Sequence, residues 1–189
     1  SAQAEGQRTA QDAADRVAWV QLSLVALPLA TPVRDAKVLT GRQKPLTEIA
    51  SVFGEEVTEM GDEGVGLGYS KRAGGPGMYA HALELAPQVI GQDANDIAKL
   101  FTHLLWAGAS MGRSGLAVQA IAPFDVALWD LKARRAGLPL AKLLGARTII
   151  TSSSDDKLAR MEGYGPDATI NYTAHERWSQ VVLEETGGL

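Results

Sequence analysis

The stretch "LPLAKLLGARTIITSSSDDKLARMEGYG", residues 138–165, changes pattern in the middle. Up to Gly145 it finishes an amphipathic helical run; from Ala146 it becomes a β-branched run, a serine cluster and a new helix. Downstream the order continues: "RTIITSSS" predicts a strand, "SDDKLARMEGYG" a helix begun by a Ser or Asp cap, "DATINY" a strand and "TAHERWSQVVLEETGG" a helix. That is β-α-β-α, the signature of parallel strands joined by a crossover helix. The expected division is a tail at 1–14, one domain at 15–146 and a second segment at 147–189.

Upstream the pattern differs. Val17 to Leu27 predicts a strand. "PLATPVRDAKVLTGRQKP" (28–45) has no sustained period and predicts a long surface loop, a class that is usually functional or mobile. "LTEIASVFGEEVT" (46–58) predicts a second strand, with helix as the competing reading. "MGDEGVGLGYS" (60–70) predicts a Gly-rich turn and a third strand, completing an antiparallel meander. The period then becomes helical. Tyr79, Ala82, Leu83 and Ala86 share one face, as do Ile97, Leu100, Phe101, Leu104 and Leu105 after an Asp or Asn cap. Residues 116–137 predict a long helix stopped by Gly137, in which Pro123 must sit in a first turn or make a kink. The expected fold class is α+β: a three-stranded antiparallel meander plus helices, followed by a short β-α-β-α Rossmann-like segment.

Composition narrows the function classes. A net charge of −4 over 189 residues argues against nucleic acid or an acidic membrane as partner. The absence of cysteine removes disulfides and thiolate metal sites and fits a cytoplasmic protein. His81, His103 and His175 lack the spacing of a zinc site. "VAWVQLSLVALPLA" (17–30), the longest apolar stretch, falls short of the ~18 residues of a membrane helix, and no basic leader frames it. "GVGLGYS" (64–70) permits neither a dinucleotide fingerprint nor a P-loop, and no serine elbow is present.

Two loops carry candidate chemistry. "YSKRAGGPG" (69–77) sets Lys71 and Arg72 side by side among glycines, suited to a carboxylate or a polyhydroxy acid; a solvated hairpin tip is the competing reading. Residues Arg34, Asp35, Lys37 and Arg42 share that ambiguity. Asp125 and Asp130 are five apart, off one helix face, and fit helix solubility and pairing with Lys132 or Arg134 better than an acid–base pair. Trp129 and Leu131 are expected in the core.

From about Asp15 to Ala146 the chain resembles the mandelate racemase group of the enolase superfamily, and within it the talarate and galactarate dehydratases. "LPLATPVRDAKVLTGRQKPLTEIA", "YSKRAGGPG", "WAGASMGRSGL" and "FDVALWDLKARRAGLPLAKLLGA" carry the likeness. The resemblance implies a capping domain whose loops, here Thr31 to Gln43 and Tyr69 to Gly75, close over a barrel active site. Lys71, Arg72, Tyr69, Ser70, Lys37 and Arg42 become substrate-facing candidates for an acid sugar. It implies Mg²⁺ on three carboxylates, with Lys and His bases, all in a following barrel; no metal ligand or base can be assigned to this sequence, and none of that barrel is expected after Ala146.

"GARTIITSSSDDKLARMEGYGPDATINYTAHERWSQVVLEETGG" (145–188) is similar to part of the nucleotide-binding domain of medium-chain alcohol dehydrogenases and quinone reductases. That implies Ser152, Ser153, Lys157 and Tyr172 near an adenosine ribose or its 2′-phosphate, with weak NADP binding, because the pyrophosphate-holding glycine turn is absent. "LAKLLGA" (140–146) suits either family. Three functions follow: an acid-sugar dehydratase, by resemblance a lyase, that lacks its catalytic barrel and is inactive alone; an NADP-dependent oxidoreductase fragment; or a non-catalytic fusion or truncated chain that self-associates through exposed apolar faces.

Overall fold

The computed structural model describes residues 14–175 and 177–188. The chain divides between Arg135 and Ala136 into two compact units. The expected tail at 1–14 lies, but for Ala14, outside the described residues.

The first unit is built on an antiparallel sheet in the order β1-β2-β3, with β1 at Val17–Val33, β2 at Leu46–Thr58 and β3 at Glu63–Ser70. Strand β1 runs past the expected end at Leu27, so the stretch 28–45 is not one long loop. Val33 pairs with Leu46 beyond a register shift that begins at Pro28. Because β1 lies at a sheet edge, the missing proline N–H breaks no ladder. A single helical turn, α1 (Ala36–Leu39), follows; Asp35 caps it by accepting from the Lys37 and Val38 amides at 3.1 and 3.2 Å.

Helices α2 (Gly75–Leu85) and α4 (Leu116–Arg135) cover one face of the sheet, and α3 (Ile97–Ala107) packs on α4. Val52 of the sheet joins Met78, Ala82, Leu104, Ile121, Phe124 and Leu128 in one core. The expected Asp cap of α3 is absent as a side-chain bond, since Asp96 pairs instead with Lys99 at 3.3 Å. Helix α4 continues through Pro123, which is fully buried.

The glycines of β3 explain that burial. Gly64, Gly66 and Gly68 alternate onto the inner face, under the helical row Gln119, Pro123, Ala127 and Leu131. A Cβ on Gly68 would lie 2.6 Å from the Gln119 carbonyl oxygen. One on Gly66 would lie 2.5 Å from the Ala127 amide nitrogen and closer still to the Pro123 oxygen. Gly54 of β2 continues the seam, where an added Cβ would lie 3.0 Å from Pro123 Cβ. The motif that sequence pattern compares with a phosphate loop is a bare strand face on which a helix backbone rests. Val65, Leu67 and Tyr69 alternate to the other face and are exposed.

The second unit pairs β4 (Ile149–Ser152) with β5 (Ala168–Asn171) in parallel, connected by α6 (Asp155–Met161) and followed by α7 (Trp178–Thr186). A short turn, α5 (Leu140–Leu143), precedes them. Leu158 and Ile170 are its buried apolar side chains among the described residues. The change from antiparallel to parallel pairing thus falls after the long helix, as the pattern predicts.

Candidate functional site

Strand β3 delivers Tyr69 and Ser70 to the start of a loop, and α2 begins at its far end behind Gly74, whose φ of 94° suits only glycine without strain. The Ser70 hydroxyl donates to the Ala73 carbonyl and closes the loop. Arg72 does not point freely outward. Its guanidinium meets the Asp35 carboxylate at 2.9 Å and donates to the Lys44 carbonyl at 2.6 Å. The Arg72 hydrogen bond, joined by the Lys37 and Val38 amides, holds the Asp35 carboxyl below the usual carboxylate range. One arginine therefore ties the 69–75 loop to the cap of α1 and to the chain just before β2.

Lys71 is exposed, and its ammonium has no ion-pair or hydrogen-bond partner among the described residues. It borders two clefts. One, of about 380 Å³, is lined by Lys44, Pro45, Thr47, Glu48 and Arg72. The other, of about 410 Å³, is lined by Leu67, Tyr69, Gln119 and Ala122. Lys37 and Arg42 lie in the 31–43 segment with exposed side chains; their backbones meet in the turn after α1, where the Arg42 amide donates to the Lys37 carbonyl at 2.9 Å. The structure thus gathers Tyr69, Lys71 and Arg72 about one pair of clefts. It gives Arg72 a fastening role that residue spacing did not reveal, with Asp35 as the missed partner.

Sequence pattern also missed Glu56. It is fully buried on the inner face of β2, and neither carboxyl oxygen has a hydrogen-bond partner. Burial first, and the nearby Asp125 second, push its carboxyl up to about 8. Asp125, half-buried on α4, is raised by the same loss of water. Asp130 does pair with Arg134, at 2.7 Å, and also accepts the Val65 amide at 2.9 Å. Lys132 lies over the Trp129 ring instead.

In the second unit Ser152 Oγ accepts the Ser154 amide at 3.2 Å, and Ser154 Oγ accepts the Lys157 amide at the start of α6. The Ser153 carbonyl accepts from Thr173 at 3.4 Å, and Asn171 donates to Asp155 at 2.7 Å. Tyr172 is exposed. The hydroxyls of Ser152 and Ser154 are spent on backbone, and Asp155 and Asp156 occupy the first turn of the helix.

No group of three or more His, Asp or Glu side chains comes together among the described residues. They do not fit the three-carboxylate Mg²⁺ site that the resemblance implies. No described helix is long and apolar enough to cross a membrane.

Comparison with known proteins fits the first unit. Residues 56–145 match the mandelate racemase/muconate lactonizing enzyme N-terminal domain model. The chain is 67% identical over 145 residues to an L-talarate/galactarate dehydratase of Salmonella typhimurium, covering 77% of this chain and 36% of that one. An L-talarate dehydratase structure from Polaromonas, described with Mg and L-glucarate, superposes with a TM-score of 0.68 at 58% identity, over 78% of this chain and 44% of that one. The Salmonella structure superposes over 98% of this chain and 52% of that one, with a TM-score of 0.72 at 50% identity. The chain thus spans between about a third and a half of the length of these relatives. The first unit, sheet and helices together, has the fold of the N-terminal domain of mandelate racemase and muconate lactonizing enzyme relatives, and its sequence is similar to theirs.

Proposed function

We propose that this chain carries the substrate-capping portion of an acid-sugar dehydratase, a lyase, and that it performs no dehydration alone. The observation that carries the reading is the tied loop pair: Arg72 fastens the 69–75 loop to Asp35 and leaves Lys71 unpaired beside the clefts. An ammonium so placed suits one carboxylate of a dicarboxylic sugar, with Tyr69 and Ser70 on the same strand end, and Lys37 and Arg42 as further cations. The 67% identity to a talarate/galactarate dehydratase supports the substrate class. Mg²⁺ would supply Lewis-acid stabilisation of negative charge in such an enzyme, and the described residues offer no site to hold it. The residues described here orient the sugar acid and shield it from water.

Titrating the ¹⁵N-labelled full chain with galactarate tests this. Shifts confined to residues 31–43 and 69–75, lost in Lys71→Ala, are expected. No shift at millimolar galactarate, or shifts only elsewhere, would overturn the capping reading. Dehydration of galactarate by the pure chain with Mg²⁺, abolished by EDTA, would overturn the second half of it. The dinucleotide alternative keeps little beyond Lys157 and the exposed Ser153 and Tyr172 at its adenosine end. Micromolar NADPH binding that weakens in Lys157→Ala would favour it.

A further inference from the structure

Glu56 takes no part in that reading, yet its surroundings are unusual for a carboxyl group. It lies in the register row Val20–Glu56–Gly64, directly beneath α4. The helix sits so close over this row that a Cβ on Gly64 would lie 2.8 Å from Leu131 Cβ. Both carboxyl oxygens are buried and unpartnered. Strands β1 and β3 set only Val20 and Gly64 opposite it. Of the titratable side chains of α2, Tyr79 donates to the Leu22 carbonyl at 3.4 Å, and His81 and Glu84 pair with each other at 3.2 Å, His81 lying against Gly108. From α4 the charged group that acts on it is Asp125, which carries the same sign. A carboxylate here would have no cation, no hydrogen bond and a like charge nearby.

We propose that Glu56 sits in the fold as the neutral acid, and that its ionisation unseats α4 from the sheet, so that the glycine seam is a latch released by alkali. The sign follows from linkage. The carboxyl is raised from 4.5 to about 8 in the fold, so the stabilisation tied to its proton is complete below pH 4.5. It is lost progressively as pH rises towards 8. Beyond that the charged form bears its full penalty. Asp125, raised by burial, works in the same direction.

Infrared spectra of the full chain labelled with ¹³C-glutamate read the group directly. A protonated-carboxyl band is expected at pH 6.5, vanishing near pH 9 and missing in Glu56→Gln. Hydrogen exchange of the amides of α4, corrected for intrinsic rate, should accelerate at least about tenfold across that span in the parent and stay level in Glu56→Gln. Asp125→Asn should lower the pH at which the band disappears, a readout that survives if Glu56→Gln fails to fold. No such band at pH 6.5, or protection of α4 unchanged while the band vanishes, would overturn the proposal.

Discussion

Gly66→Ala is the substitution in which the seam between β3 and α4 makes its most demanding statement. Alanine is ordinarily the better strand residue, by about 0.5–1 kcal/mol, because glycine loses more backbone freedom on folding. A surface reading of the strand therefore expects stabilisation. The structure reverses the sign. The new Cβ would lie 2.5 Å from the Ala127 amide nitrogen and closer still to the Pro123 carbonyl oxygen. Both are backbone atoms, so no rotamer change relieves the contact, and α4 must retreat by about 1 Å along its length. Overpacking of this kind costs about 1–3 kcal/mol, and a clash with two rigid atoms belongs at the upper end. After the alanine gain, a net loss of about 2 kcal/mol remains. With an m-value of about 2 kcal/mol per molar urea, the midpoint of the first unit falls by about 1 M. Trp178 lies in the second unit, so tryptophan fluorescence in a Trp178→Phe background follows Trp19, Trp106 and Trp129 of the first unit alone. Gly77→Ala, also in the first unit, is the control: its Cβ would meet only Leu116 Cδ1, at an ordinary 3.4 Å, and its midpoint should hold or rise. An unchanged or higher midpoint for Gly66→Ala would refute the close seam.

Arg135 joins the fully buried Asp15 to Asp62 and Asn95. Arg135→Ala should cost about 3 kcal/mol in urea unfolding, because it leaves Asp15 buried without its cation, and Arg135→Lys should recover part of that. In the second unit Lys142 first, then the Thr148 amide, hold Asp167 down at about 2. An NMR titration should place the carboxyl there and show it rising in Lys142→Ala. Because the fold depresses this group, its contribution is present above pH 3.8 and fades as pH falls through about 2. Acid resistance of the second unit in Lys142→Ala equal to the parent's would count against the pairing.

Periodicity carried the fold further than it carried the site. The alternation in 46–58 and the helical faces after Met78 placed β2, α2 and α3, because those residues pack through one face each. Pattern misplaced the end of β1, because Pro28 looks like a breaker until β1 is known to be an edge strand. The glycines at 64, 66 and 68 had the strand period of two, which a phosphate loop lacks; that spacing was the available signal for a helix lying on bare backbone. Glu56 carried a similar signal, since Val52, Gly54, Glu56 and Thr58 share one buried face. The Arg72–Asp35 tie had none. Its partners lie on separate loops, and local spacing does not report which distant side chains meet.

The second unit shows the opposite limit, where structure distinguishes less than sequence does. Identity to the Salmonella dehydratase is 67% over 77% of the chain, and 50% once superposition reaches 98%. The added span therefore follows the relative's path with few of its residues. A β-α-β-α segment with parallel strands and a right-handed crossover is the common currency of doubly wound sheets and of barrels, because strand twist and helix packing allow that connection almost alone. Two strands, β4 and β5, cannot record whether the sheet would close or stay open, since closure is set by tilt and stagger accumulated over many strands. The identity of side chains at strand ends, Ser152, Ser153 and Asn171 here, is what separates one chemistry from another on this backbone. The Ser152 and Asn171 side chains are committed to caps and turns within the unit, while Ser153 is exposed and only its carbonyl is engaged.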